Sequence, residues 1–133
     1  MTVYQLEITV SGSAGGTRKF RLNTPAQVAS TLDSHAPTTG VVFVAALGRG
    51  VDHGNFYIFR NEAGLAHVVL HEHREFFPRD PLSAKFEEKI SFRSENGEEF
   101  QVPANLTTSW ERARSALEHW LPAQARWPEF NWD

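Results

Sequence analysis

The chain has 133 residues, of which 41% are hydrophobic, and it contains no cysteine. This length favours a single domain spanning residues 1–133, and the apolar content suffices for a packed core, which excludes a disordered chain. The lack of cysteine excludes disulfide scaffolds, thiolate metal sites and cysteine nucleophiles. The formal net charge of −3 argues against nucleic acid as a direct ligand.

The first predicted elements are two strands and a helix. Residues 3–10 alternate between polar and apolar side chains, which is typical of a half-buried strand. A glycine-rich loop over 11–16 leads to a short returning strand at 20–22. Thr24 is expected to cap a helix that occupies residues 25–35 and begins with proline.

The middle of the chain predicts more strands. The continuous apolar run over 41–47 is typical of a central strand that is covered on both faces. It is too short to cross a bilayer, and no signal peptide precedes it, so we expect a cytoplasmic protein that does not contact membranes. A loop over 48–54 should follow. Residues 56–60 and 66–72 then form a hairpin.

The next hairpin turns at Asn96-Gly97, and its register can be predicted. A two-residue turn would place the apolar side chains of the two strands on opposite faces, which one-sided burial disfavours. A three-residue loop over 95–97 sets Phe92 opposite Phe100, with Gly97 in the left-handed position of a bulged turn. The three-residue loop is therefore preferred.

The last predicted element is an amphipathic helix that packs across the sheet. Thr108 and Glu111 form a capping box, and Pro122 ends the helix. Its apolar stripe consists of Trp110, Ala113, Leu117, Trp120 and Leu121, and its outward residues are Arg112, Arg114 and Glu118. Beyond the helix, Trp127 and Trp132 are expected to fold back over the end of the sheet. The order of elements predicts an α+β fold, mainly an antiparallel β-sheet with two helices packed on one face.

Three histidines are the best candidates for a metal site. If residues 66–74 formed one strand, His67, His71 and His73 would project from the same face, and Glu75 would join them. Such a set can bind zinc or non-haem iron. The dense charge around it favours an exposed polar strand instead, so a metal-binding enzyme or metal-binding protein is kept as the alternative function.

The remaining residues favour a binding protein over an enzyme. No serine lies in a nucleophile elbow, and adjacent carboxylates on a strand point to opposite faces. Residues 62–99 carry nine acidic and five basic side chains. This excess is either a solvated face, which is the commoner case, or an acidic surface that steers a basic partner. We expect no catalysis and no cofactor.

The layout of the carboxyl-terminal third points to a family. A glycine-turned hairpin leads to a strand ending in proline, then to a helix and a final tryptophan followed by an acid. The residues concerned are Asn96-Gly97, Val102-Pro103, Ala113, Ala116-Leu117, Trp120-Leu121 and the ending from Arg126 to Asp133. Over residues 90–133 the chain resembles the first-numbered family of immunity proteins from bacterial polymorphic toxin systems. Trp127 departs from the Arg-Pro that often precedes the last tryptophan in that family.

The resemblance implies a small cytoplasmic protein that binds and blocks a cognate toxin domain in interbacterial competition. Toxins paired with this family are often nucleic-acid deaminases, and such a toxin needs a basic groove for its substrate. An acidic inhibitor, expected to be monomeric in the complex, can occlude that groove. No contact residues carry over by motif. The partner-binding residues proposed from charge and position are Glu72, Glu75, Glu87, Glu88, Glu95, Glu98 and Glu99.

Overall fold

An antiparallel sheet forms the centre of the computed structural model, which describes residues 2–11, 16–48, 51–83 and 88–132. The elements in chain order are β1 (Thr2–Val10), β2 (Gly16–Leu22), α1 (Pro25–His35), β3 (Gly40–Gly48), β4 (Val51–Arg60), β5 (Leu65–His71), β6 (Glu75–Phe76), β7 (Lys89–Arg93), β8 (Glu99–Pro103), β9 (Thr108–Ser109) and α2 (Trp110–Trp120). A 3₁₀ turn over Ala104–Leu106 precedes β9. The predicted α+β fold is confirmed.

The main sheet has the strand order β2-β1-β3-β4-β5-β6, and β9 pairs with β5 as well. All these neighbours are antiparallel; Leu6 of β1, for example, lies opposite Phe20 on β2 and Val44 on β3. The chain returns from β2 to β3 through α1, which packs on β1. The predicted glycine-rich loop over 11–16 lies partly outside the described residues, since 12–15 are not among them.

The core lies between one face of the sheet and both helices. Alternation in β1 buries Tyr4, Leu6 and Ile8 on this face, as the sequence pattern predicts. The helix residues buried against the sheet are Val28 and Leu32 from α1 and Ala113, Ala116, Leu117 and Trp120 from α2. Each helix has 11 residues, and no helix in the described part of the chain is long and apolar enough to span a membrane.

The two helices begin at hydroxyl caps, one of which differs from the prediction. The Thr24 hydroxyl accepts a hydrogen bond from the backbone N–H of Gln27 at 3.1 Å, as expected. In α2 the cap is Ser109, whose hydroxyl accepts from the N–H of Arg112 at 3.2 Å. The predicted capping box of Thr108 is wrong, because Thr108 belongs to β9 and its hydroxyl is used in another contact.

The predicted loop over 48–54 is wrong in part, because β4 already begins at Val51. The pairing of β3 with β4 shifts register between Ala45 and Leu47, and this irregularity lets Gly48 pair with Val51. Strand pairing is made by backbone hydrogen bonds and does not require an alternating apolar pattern. The first residues of β4 therefore carry no sequence pattern that predicts a strand.

Strands β7 and β8 form a separate two-stranded sheet, and do not extend the main one. Phe92 lies opposite Phe100 and Ile90 opposite Val102, which confirms the register predicted from the three-residue loop. Gly97 has a φ of 87°, the left-handed conformation expected for the bulged turn. The β7–β8 hairpin is thus closed by the predicted type of turn.

Replacing Gly97 with alanine should lower the free energy of unfolding by about 1 kcal/mol, because a Cβ atom disfavours a positive φ. No described atom lies within 4 Å of the position that a Cβ would take, so steric contact adds nothing to this cost. Gly97→Asn is the matched control, since asparagine tolerates the left-handed region better. Urea unfolding measures both variants. Equal stability of Gly97→Ala and the wild type would contradict the assigned turn.

The tail after α2 folds back on the domain, as predicted. Asn131 and Arg79 exchange two backbone hydrogen bonds of 2.8 Å. The Trp132 indole N–H donates to the carbonyl oxygen of Trp127 at 2.7 Å, and Phe130 is buried beside them in the core. The tail aromatics therefore serve packing.

Candidate partner-binding surface

The described residues cover the face of the main sheet opposite the helices only in part. We call its uncovered portion the open sheet face, formed by Gln5, Glu7, Thr9, Phe43, Leu47 and Tyr57. The prediction that β3 is covered on both faces is therefore right only in part: Val41 and Ala45 are buried, whereas Phe43 and Leu47 are half-buried. All six side chains of this face are half-buried, so part of each is exposed.

The β7–β8 hairpin covers the rest of this face. Phe100 packs edge-on against Phe59 of β4, with ring centroids 5.1 Å apart, and Phe92 lies 5.8 Å from the ring of His67 on β5. The side-chain amide of Asn61 donates to the carbonyl oxygen of Ser91 at 3.2 Å. These contacts fix the hairpin over the end of β4 and the start of β5.

His67 belongs to this aromatic contact and is only 2% exposed. Burial lowers the pKa of His67, although its hydrogen bond with the carbonyl of Leu106 acts in the opposite direction. Its Nδ1 atom lies 3.0 Å from that oxygen, so Nδ1 carries the proton and donates it. His67 is thus a neutral packing residue under the hairpin.

The stability of the protein should fall as the pH drops below about 6.5, the ordinary pKa of histidine. Unfolded His67 then takes up a proton that the folded protein resists, which costs up to about 1.4 kcal/mol per pH unit. His67→Asn keeps an N–H for the Leu106 carbonyl and cannot titrate. Urea unfolding at pH 7.5 and 5.5 should give a smaller decrease for the variant. Equal decreases in stability for the wild type and the variant would contradict the assignment of His67 as a buried neutral side chain.

The predicted histidine row is not formed, because β5 ends at His71. The chain turns there, with the N–H of Glu72 donating to the carbonyl of Arg74 at 3.0 Å, and β6 pairs back so that Glu75 lies opposite His71. The single strand over 66–74 that such a row requires is therefore not formed, whereas the strand predicted over 66–72 is present as β5. His71 and His73 are exposed and line a cleft of about 530 Å³ that does not include His67. Within the described ranges, no group of three or more His, Asp or Glu side chains is placed to hold a metal ion.

One acidic residue of the middle segment is buried in an ion pair. Asp80 is 6% exposed, and its carboxylate accepts from Arg112 at 2.7 and 3.0 Å and from the Thr108 hydroxyl. Burial alone would raise the pKa of Asp80, but the hydrogen bonds from Arg112 and Thr108 outweigh it and lower the pKa. The guanidinium group of Arg112 also lies 5.0 Å from the Trp127 ring. Asp80 therefore ties Arg112 of α2 and Thr108 of β9 to the segment that follows β6.

The outward direction predicted for two arginines of α2 is likewise wrong. The Arg112 side chain is 26% exposed and the Arg114 side chain 19% exposed. Arg114 donates to the carbonyl of Ala29 on α1 at 3.0 Å and pairs with Asp33 at 2.6 Å, so it connects the two helices. Helical spacing shows which side of a helix is polar, but a long side chain can still reach a neighbouring element.

The structure places the predicted partner-binding carboxylates in two groups at opposite ends of β5. The hairpin group is exposed and consists of Glu88, Glu95, Glu98 and Glu99. The other group follows the end of β5 and consists of Glu72 and Glu75, of which Glu72 pairs with Arg126 at 3.2 Å. Glu87 lies outside the described residues. Glu95 of the hairpin group lies beside the open sheet face, whereas Glu72 is tied to the tail.

Charge alone did not single out Glu7, Phe43 and Tyr57, which lie in register on β1, β3 and β4. The alternation in β1 places Glu7 on the side away from the core, and this was the available signal. Adjacent strands thus present aromatic rings beside a carboxylate, an arrangement suited to contact with a basic protein surface. Comparisons of the chain with protein-family models, curated proteins and solved structures found no match.

Proposed function

We propose that this protein is an immunity protein that binds a cognate bacterial toxin domain and occludes its active site. The observation that carries the proposal is the group of exposed carboxylates on the β7–β8 hairpin, of which Glu95 lies beside the half-buried aromatics of the open sheet face. The resemblance of residues 90–133 to an immunity family supports the same function. The contact surface would be the open sheet face together with the hairpin.

The charge of the hairpin suits a toxin that acts on nucleic acid. Residues 88–103 carry four glutamates and two basic side chains. A nucleic-acid deaminase, the toxin class that the resemblance suggests, needs a basic groove for the phosphate backbone. Acidic side chains on an inhibitor attract such a groove and speed association. Inhibition then follows from steric exclusion of the substrate, without any chemical step by this protein.

The aromatics of the open sheet face would supply the affinity. Phe43 and Tyr57 pack on each other with ring centroids 4.9 Å apart, and both are half-buried. Interface hot spots are enriched in aromatic residues and arginine near the centre of a contact, whereas exposed charges at its rim act mainly on association rate. This division predicts apolar contacts at the centre and carboxylates at the rim.

The proposal is tested by producing the protein together with the toxin domain encoded beside its gene. We expect the two chains to co-purify as a complex of one copy each, and the toxin to be inactive in it. Separate elution of two folded chains with unimpeded toxin activity would contradict the proposal. Metal analysis of the purified protein tests the alternative, because stoichiometric zinc or iron that is lost in a His71→Ala/His73→Ala variant would favour a metal protein.

A further inference from the structure

A small cleft separates the turn of the β7–β8 hairpin from the open sheet face. It has a volume of about 160 Å³ and is lined by Glu7, Thr9, Val41, Phe43, Tyr57 and Glu95. This volume is below the range of about 300–1,000 Å³ typical of clefts that hold drug-sized ligands. The cleft is thus suited to one side chain or a group of similar size.

The floor and one wall of the cleft come from three adjacent strands. Glu7 on β1 lies opposite Phe43 on β3, which lies opposite Tyr57 on β4. The rings of Phe43 and Tyr57 are tilted by 57° to each other. The side-chain amide of Gln5 donates to a carboxylate oxygen of Glu7 at 2.9 Å and so orients this carboxylate. The result is an aromatic floor with a negative charge beside it.

The opposite wall is Glu95, whose position is set by the hairpin turn. The Gly97 N–H donates to the carbonyl of Ser94 at 3.0 Å, and the Glu98 N–H donates to the side-chain oxygen of Asn96 at 3.2 Å. These hydrogen bonds hold the backbone of the turn. The turn therefore places the backbone of Glu95 across the cleft from the sheet, and its exposed carboxylate can reach a ligand between the two walls.

We propose that this cleft receives an arginine side chain from the partner protein. The inference rests on the proposed function, in that the open sheet face is the contact surface, and it adds the chemistry of one contact. Two carboxylates and two aromatic rings around one space favour a cation with a flat face. A guanidinium group stacks on aromatic rings and donates hydrogen bonds to carboxylates from its edges. A lysine ammonium is a compact point charge that does not stack in this way.

Nuclear magnetic resonance with a short peptide tests the cleft directly. The probe is acetyl-Gly-Arg-Gly-amide, and the controls are the same peptide with citrulline, which has the shape of arginine without its charge, or with norleucine. We expect saturable shifts of the Glu7 and Glu95 amides and of the Phe43 and Tyr57 rings. Binding of both control peptides should be weaker by about tenfold or more, since a charge-assisted contact is lost.

Substitutions of single carboxylates test whether the arginine peptide binds in the cleft. Glu7→Gln and Glu95→Gln should each weaken binding of the arginine peptide, whereas Glu111→Gln, an exposed position on α2, should leave it unchanged. The inference is overturned if the arginine peptide causes no saturable shift at the cleft, or if the citrulline peptide binds equally well. That result would leave the proposed function standing if the toxin complex still forms. If the peptide bound but no toxin complex formed, the proposed function would be contradicted instead.

Discussion

Asp80→Ala should lower the free energy of unfolding by about 3 kcal/mol, because it leaves the guanidinium group of Arg112 without its buried partner. Asp80 accepts two hydrogen bonds from Arg112, one from the Thr108 hydroxyl and one from the N–H of Leu82 at 2.9 Å. All four are lost together. Arg112 also lies against the Trp127 ring, so the tail should loosen as well.

Asp33→Ala is the matched control, since it removes the carboxylate of an exposed ion pair. Asp33 lies 2.6 Å from Arg114, and its side chain is 68% exposed. Exposed pairs contribute little, so the loss should be about 0.5 kcal/mol or less. Urea unfolding of the wild type and both variants measures the difference. Similar losses for the two substitutions would show that the Asp80–Arg112 pair contributes no more than an exposed ion pair.

The Asp80 contribution should also depend on pH. Because the pKa of Asp80 is lowered in the folded protein, its stabilising effect is fully present above the ordinary value of 3.8 and decreases as the pH falls through the folded pKa. The difference in stability between the wild type and Asp80→Asn should therefore be constant from pH 7 to about 4.5 and shrink below that. A difference that grows in acid would contradict the assigned pKa direction.

Reversing two charges of the hairpin should weaken toxin binding by at least about tenfold at low salt, since rim charges steer association. The change is Glu95→Lys/Glu98→Lys. Glu99 is left unchanged because it lies opposite Arg93 in the hairpin, where a second cation would disturb the pairing. The association rate of the variant should also fall less steeply with salt than that of the wild type.

The control carries the same change of charge on the other side of the domain. Glu111→Lys/Glu118→Lys alters two exposed residues of α2, which packs on the face opposite the hairpin. Its loss of the Arg114–Glu118 pair should cost no more than about 0.5 kcal/mol of stability. Surface plasmon resonance at several salt concentrations compares the two. If both double variants weakened toxin binding equally, the effect would come from the net charge of the protein. The hairpin would then not be the contact surface.

Much of the fold follows from local patterns in the sequence. The cap at Thr24, the alternation in β1 and the register around Gly97 each depend on residues close together in the chain. The Asp80–Arg112 pair joins positions far apart, and no local pattern contains it. The choice between Thr108 and Ser109 as the cap was likewise decided by a distant residue, since Asp80 binds the Thr108 hydroxyl.

The candidate surface was predictable only in part, for the same reason. Charge composition identified the hairpin carboxylates, which are exposed in the structure. It could not show that β7 and β8 leave the main sheet and pack across it, because that placement depends on the contacts of Phe92 and Phe100 with distant aromatics. Only that placement brings Glu7 and Glu95 to the same cleft.

Hydroxyl-radical footprinting of the protein, free and in complex with its toxin domain, tests the proposed contact surface most directly. The method reports the exposure of side chains, and both Phe43 and Tyr57 on the open sheet face are half-buried in the free protein. Trp110, a half-buried aromatic of α2, serves as the internal control. We predict that the complex protects Phe43 and Tyr57 and leaves Trp110 unchanged. Protection of Trp110 alone would contradict the proposed contact surface.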